Sequence, residues 1–591
     1  MSVAVAPRAV ASPPPLPAVE PPPPVWPLPV RVMVWADGGP TAIGELPDHP
    51  PADYPPLWYV EPTRRVGPDV FPALVAALRS EHVPGLSLRG QPAAALLSEL
   101  RDLPELTALV LDDSDVDGAA LARADVALTR LYVSRTAVDD AALAQLAARQ
   151  PRLEVVSAEE CAITDAGARA LAGLRALRAV NLDGTAITDA GGAALGALPE
   201  LVIAELGHTH VGPRTIAALR THPIQELFLD GTTVGPELAD LAPLAPTLVR
   251  FDASTLASYR PTDRDVGWLA NAPNLVEVGL NGAMVRDGLA RAIAKLPKLR
   301  DVRLAGTPIT LAAIRELVAH PGLEEIDLAF TVIDDASAAV AFAQPTLRSL
   351  RLDKTSVHDA AFAAAPATIA ALRELYLSNT RVTDAALALL DAAPDLEALG
   401  LAEDAITDAT LARAARLSHL HTLVLDGAPV SAGALAQLGA LASLERLYLE
   451  RTPADDAVVA ALAPARGLRI LHLANTRVTT RALAALRGFG SLEELTLGAT
   501  GVDGELGDLA SWPRLHTLSA YGLPLDDAAV AAIATHRALV VLDLSATHVR
   551  ELAPLEALPH LQLLGVVGAP LGASGRAELA KLRARGVDVE D

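Results

Sequence analysis

Residues Leu372–Asp395 read LRELYLSNTRVTDAALALLDAAPD. Leu372, Leu375 and Leu377 stand at positions 1, 4 and 6 of this stretch. Leu375 and Leu377 alternate with Glu374, Tyr376 and Ser378, the period of a strand with one buried face. The period then changes. Thr383 and Asp384 precede Ala385, Ala386, Leu387 and Leu390. Thr or Asp before a helical run is an N-cap signal, and an acid in the first turn suits the helix dipole. Leu387 and Leu390 lie three apart and share a helix face, and Pro394 ends the helix. The stretch predicts strand, turn, helix, turn. Such a piece hides its apolar side only against another of its kind.

Others of its kind fill the chain. First-position residues fall at Leu106, Leu128, Leu153, Leu177, Leu201, Ile224, Leu248, Leu275, Leu299, Leu323, Leu347, Leu372, Leu396, Leu420, Leu444, Leu468, Leu492, Leu515, Leu539 and Leu561. Twelve of the nineteen spacings are 24 residues, a regularity that composition alone does not produce. Strands stack about 4.8 Å apart and helices about 8–10 Å. A stack of such units therefore bends with its sheet on the inside. Small Ala385 and Ala386 let neighbouring helices approach. Position 9 is threonine in most units, for example Thr136, Thr185, Thr307, Thr355, Thr380, Thr476 and Thr547. A hydroxyl where the chain turns inward satisfies backbone groups that the turn exposes.

The pattern L-x-x-L-x-L-x-x-[TC]-x-[VI]-[TD]-D-A-x-x-x-L, well represented by Leu177–Glu200, resembles the leucine-rich-repeat superfamily. It is most similar to the ribonuclease-inhibitor-like and cysteine-containing classes, here in a bacterial style with threonine at the ladder position. The resemblance spans roughly residues 83–591. It implies an α/β solenoid: a curved arc with a parallel β-sheet on the concave face and helices and short 3₁₀ turns on the convex face. It also implies a protein-binding role for the concave sheet. Cysteine-containing repeats often follow an F-box and serve ubiquitin ligases, but residues 30–82 show no convincing F-box. Helix-poor units such as the one at Leu539 are similar to the shorter repeats of internalin-like proteins.

Composition agrees with an array. The chain has 591 residues, 51% of them hydrophobic and only 3% aromatic. One globular core does not grow to that size. The net charge of −23 argues against nucleic-acid phosphate or an anionic membrane as partner. Cys161 is the only cysteine, so no internal disulfide or cysteine metal cluster can form, and it takes the threonine position of its unit. Residues 1–10 lack the apolar stretch and cleavage site of a signal peptide. No run of about 18 apolar residues offers a membrane span. The expected location is cytoplasmic.

Four regions follow. Residues 1–29 are a Pro-rich disordered segment; ten of the eighteen residues from Ser12 to Pro29 are proline. This is a polyproline spacer, or a ligand motif through Pro21–Pro24. Residues 30–105 form an N-terminal cap region with a degenerate first repeat at Leu86 and Leu88. Val30–Trp35 and Leu57–Val60 read as strands and Val70–Ser80 as a helix. A small independent module is the alternative to a cap. Residues 106–571 hold about twenty repeats, and 572–591 close the array with a polar-faced helix and a last strand. The Leu248 unit is longer by three residues, and its loop is expected to protrude with Tyr259, Arg260 and Trp268. It is either a binding loop or a tolerated irregularity. The Ile224, Leu492 and Leu539 units lack the helical pattern and suit 3₁₀ turns.

Position 5, at mid-strand, makes a ladder along the concavity that includes Tyr132 and Phe228. Two zones on it stand out. Arg303, Asp327, Arg351 and Tyr376, with Phe330 and Lys354 beside them, form a charged and aromatic patch. Arg446, Tyr448, Arg451 and His472 form a second. Tyrosine and arginine are the residue types enriched at interface hot spots; equally, such pairs across strands stabilise a sheet surface. No catalytic motif occurs, neither G-x-x-x-x-G-K-[ST] nor H-E-x-x-H. The Asp-Asp pairs such as Asp139-Asp140 and Asp455-Asp456 recur at helix starts and read as caps. His208 and His210 lie in GHTH with no third ligand evident, so neither a metal nor another cofactor is expected. The sequence predicts a non-enzymatic scaffold with a protein partner. The alternative is an adaptor whose residues 30–82 recruit an effector.

Overall fold

Leu375 and Leu377, the alternating pair of the diagnostic stretch, are wholly buried, and Glu374 and Tyr376 between them are half-buried. That alternation recurs because each unit contributes one three-residue strand. Glu374, Leu375 and Tyr376 pair in parallel with Ala398, Leu399 and Gly400, and the same register joins each unit to the next. The computed structural model describes residues 26–36, 39–51, 53–55, 57–363, 369–504, 506 and 509–591. Over these residues the chain forms one sheet of 25 strands, backed by α- and 3₁₀-helices. The Pro21–Pro24 run lies outside the described residues.

The sheet begins differently. Strands β1 (Val30–Ala36), β2 (Gly39–Leu46) and β3 (Trp58–Pro62) pair antiparallel, with β1 in the middle. Helix α1 (Phe71–Ser80) buries Phe71, Leu74, Val75 and Leu78 against the open end of the array. Strand β4 (Gly85–Ser87) then lies parallel to β3 through Val60 and Leu86. β2 has no counterpart in the sequence reading, because its apolar residues Ala42, Ile43 and Leu46 do not alternate as a half-buried strand requires. Trp26 and Leu28, which the sequence placed in the Pro-rich disordered segment, instead join the core at 8% and 3% exposure, because these two apolar side chains pack onto the end of the array. At the other end the helix Ala573–Ala584 and the strand Asp588–Glu590 cover the last unit, the strand pairing with Leu563–Gly565.

The convex side departs from expectation in the stretch that announced the fold. Ala386–Ala392 is a 3₁₀-helix, not an α-helix. Leu387 and Leu390, three apart, eclipse each other in a three-fold helix and both are buried. The expected short turns appear at Pro236–Leu244, Leu509–Ser511 and Ala553–Ala557. Tryptophan fills the space beside two of them. Trp268 Nε1 donates to the Leu238 carbonyl at 3.0 Å, and Trp512 Nε1 donates to that of Leu486 at 2.9 Å.

Two polar ladders run along the array, one closing the turn within each unit and one tying unit to unit. Position-9 threonines donate to the position-6 carbonyl of their own unit, as Thr185 Oγ1 does to Leu182 at 2.6 Å and Thr355 Oγ1 to Leu352 at 2.7 Å. Cys161 Sγ donates to Val133 at 3.1 Å, a structural role. Thr380 is an exception, because its hydroxyl and N–H both turn to the Asp404 carboxylate, at 3.2 and 2.9 Å. The Asp-Asp pairs divide their work. Asp139 caps its own helix through the Ala142 N–H at 2.8 Å, whereas Asp140 reaches forward to the N–H and hydroxyl of Thr164, at 2.8 and 2.5 Å.

Curvature accumulates to a full turn. Arg514 Nη2 donates to the Gly90 carbonyl at 3.3 Å, across 424 residues of chain. Asp113, in the next unit, acts electrostatically on Arg469 across the same gap. Eighteen strand-to-strand steps separate β4 from the strand Thr517–Ser519 that follows Arg514. One turn in eighteen steps is about 20° per step. Over about 10 Å between sheet and helices, that angle widens a 4.8 Å strand spacing to about 8 Å, the distance at which helices pack. Side chains two units apart consequently meet on the inner face, as Arg451 Nη2 and Glu403 do at 2.8 Å and Asn475 and the Tyr521 hydroxyl at 2.6 Å.

Candidate functional site: the concave face

Positions 3, 5, 7 and 8 of each unit build the concave face. Position 8 is held in the left-handed region in unit after unit: φ is 65° at Gly184, 58° at Asn379 and 57° at Asn475. Glycine and asparagine adopt this conformation readily, and other residues do so at a cost. Phe330 (φ 58°), Lys354 (53°) and Arg451 (55°), all expected binding residues, occupy it. The frequent Gly or Asn before the position-9 threonine is the sequence signal for this turn.

The strand register brings the first patch together. Arg303, Asp327, Arg351 and Tyr376 are direct neighbours on four successive strands. The Arg351 guanidinium lies 4.4 Å from the Tyr376 ring centroid, and its Nη2 is 3.3 Å from Glu374. Lys354 Nζ lies 4.9 Å from the Phe330 ring centroid. Phe330 is 56% exposed and Val332, beside it, 63%. Arg303 is bound into the sheet by Glu277, by Asp252 at 3.4 Å and by Asp301 at 3.7 Å. In the second patch the His472 ring meets Tyr448 edge-on, with centroids 4.7 Å apart. His472 Nε2 is 2.8 Å from Glu494, and Arg446 stands two residues before Tyr448 on the same strand.

Three expected site residues lie elsewhere. Trp268 is buried, its ring edge on Phe251 at 5.5 Å. Tyr259 donates its hydroxyl to Asp265 at 2.9 Å, and Thr262 and Asp265 form a capping box. The insertion is thus tied down rather than protruding, with Leu256, Tyr259 and Trp268 packed beside a 3₁₀ unit; of the three expected loop residues only Arg260 remains exposed. Tyr132 stacks under Trp35, with centroids 5.5 Å apart at 19°, in a small cluster with Met33, Tyr59 and Val110. The cap hairpin, which the sequence did not reveal, covers it. Phe228 is half-buried between Glu205 and Asp252.

The face is acidic. Its four positions carry twenty carboxylates and eight Lys or Arg side chains over twenty units, a net −12 of the chain's −23. These groups raise one another's pKa. Burial, then Glu325, Asp252 and Asp327, push Asp301 up to about 8. Burial, then Glu226, Glu159 and Asp183, push Glu205 up to about 7. Asp327, Asp353 and Asp426 are shifted upward too, burial being the largest cause for each.

His208 does find company. Its Nδ1 lies 3.0 Å from Asp183 and 3.5 Å from Asp230, carboxylates of the units on either side. These three are the group that could hold a metal ion among the described residues. Burial lowers the His208 pKa, but Asp183 and Asp230 more than offset it and hold it above the ordinary histidine value. Among the described residues no helix is long and apolar enough to cross a membrane.

No family model matches the chain, and no curated protein does. Solved structures that the chain matches include the following three. The Arabidopsis receptor kinase HAESA, in complex with the peptide hormone IDA, is 17% identical over 84% of this chain and 92% of its own, with a TM-score of 0.33. The mouse RP105/MD-1 complex is 15% identical over 88% of each chain, with a TM-score of 0.31. Internalin C2 from Listeria monocytogenes is 26% identical over 33% of this chain and 80% of its own, with a TM-score of 0.29. The chain itself, with its unclosed parallel sheet backed by helices and 3₁₀ turns, folds as a leucine-rich-repeat solenoid.

Proposed function

We propose that the protein is a non-enzymatic scaffold that holds a protein partner on its concave sheet. One observation carries this. Phe330 keeps a large exposed ring in a backbone conformation that costs an aromatic residue about 1 kcal/mol or more, with Lys354 on its face and the Arg351–Tyr376 pair beside it. The turn imposes this conformation on position 8 of every unit, and what sets Phe330 apart is the large exposed ring it carries there. The net charge of −23 favours protein over nucleic acid as partner. The adaptor reading is weaker, since β1 to β3 continue the sheet and Trp35 packs on Tyr132, which supports a cap. The proposal includes a cytoplasmic location, which cell fractionation checks. Affinity purification with mass spectrometry tests the binding role. A partner recovered by wild type should be lost with Arg351→Ala/Tyr376→Ala/Tyr448→Ala. Equal recovery by both would remove these patches as the site.

A further inference from the structure

The full turn encloses the concave face. Eighteen steps of about 4.8 Å give a strand circle about 86 Å round and about 27 Å across. With side chains lining both walls, the open bore is about 15 Å. A single α-helix with its side chains is about 10–12 Å wide. A folded domain of about 100 residues has a radius of gyration near 13 Å, so it is roughly twice as wide as the bore. Mid-strand residues such as Asp327, Arg351 and Tyr448 are therefore within reach only of something slender.

The wall selects by charge as well. Its twenty carboxylates outnumber its basic groups by twelve. Several of the basic groups are already engaged within the wall: Arg303 with Glu277, Asp252 and Asp301; Arg250 with Glu226 and Glu277; Arg451 with Glu403. Asp301 Oδ1 is buried without a hydrogen-bond partner. The excess is thus carboxylate lining a narrow space, where the field is concentrated by the low-dielectric walls. A cation entering the bore relieves this repulsion, whereas an anion adds to it. Phe330, 56% exposed, adds apolar surface against which the stems of lysines can lie.

We propose that the bore closed by the Arg514–Gly90 contact takes a Lys/Arg-rich helical segment of another protein, lying along the axis of the coil, rather than a folded domain. This rests on the protein-binding reading and adds the partner's shape and charge.

The test uses the full chain and fluorescence anisotropy with labelled 24-residue helical peptides, one Lys/Arg-rich and one with glutamate in place of every basic residue. The basic peptide is expected to bind, and to bind at least tenfold more weakly when salt rises from about 50 to about 300 mM. The acidic peptide should bind at least tenfold more weakly than the basic one. Glu325→Gln/Asp327→Asn/Asp353→Asn should weaken the basic peptide at least tenfold. If that variant does not fold, the two peptides and the salt series on wild type still decide. Equal binding of both peptides, or none by either, overturns the proposal. A basic peptide flanked at each end by a folded domain should associate at least tenfold more slowly than the bare peptide; an equal rate overturns the enclosure. If affinity purification instead returns a neutral or wholly globular partner that depends on the patch residues, this inference fails and the binding role stands. If it returns no patch-dependent partner, the binding role fails first.

Discussion

Phe330 carries the clearest conflict between local and global preference. Its left-handed backbone suits glycine, which stands at the same place in the Leu177 and Leu299 units. Phe330→Gly should stabilise the fold by about 1 kcal/mol in urea unfolding while weakening partner binding. A loss of stability would remove the strain argument. Asp404 is the second conflict. It stands where other units have threonine, is 1% exposed, and its Oδ2 has no hydrogen-bond partner. Burial is the chief cause that pushes it up to about 7. Because its folded pKa exceeds the unfolded value near 3.9, stability is lost as pH rises between about 4 and 7. Asp404→Thr should therefore raise Tm at pH 8 and change it little at pH 4, as calorimetry at both would show. The identity of these residues was legible in the sequence. Their cost was not, because position 8 shows its handedness only once the turn is built.

Among the elements, the strands were plain and the convex side was not. A three-residue strand with leucines at positions 4 and 6 has no competing reading once it recurs. Leu387 and Leu390 three apart fit an α-helix and a 3₁₀-helix alike, and the space left by neighbouring units decides between them. The first aspartate of each Asp-Asp pair announced a cap, but the partner of the second lies a whole unit away in sequence. In the Leu372 unit that second position is Asp384, which accepts from the N–H and hydroxyl of Thr407 at 2.9 and 2.5 Å and from the Thr410 hydroxyl at 2.5 Å. Asp384→Ala should cost about 1–2 kcal/mol at pH 7. Burial raises the Asp384 pKa, but those hydroxyls and N–H groups bring it below the usual carboxylate range. Its contribution is present above about pH 4 and is lost as pH falls through the lower folded value. The difference between wild type and variant should accordingly shrink in acid denaturation.

At the scale of the whole molecule, the sequence foretold an arc and the direction of its bend. It did not foretell closure, which depends on how 20° or so adds up over eighteen steps, nor the hairpin that roofs Tyr132. Removing one whole unit, residues 420–443, keeps every remaining strand in register, so the chain should still fold. Its two ends should separate, however, and energy transfer between labels at positions 90 and 514 should fall. Unchanged transfer would show that the coil adjusts its pitch. The Arg514–Gly90 contact thereby makes unit number a quantity with a correct value. Duplication or loss of a unit between residues 90 and 514 breaks the clasp, whereas units added beyond Leu515 leave it alone. The array can change its length without opening the clasp only outside residues 90–514.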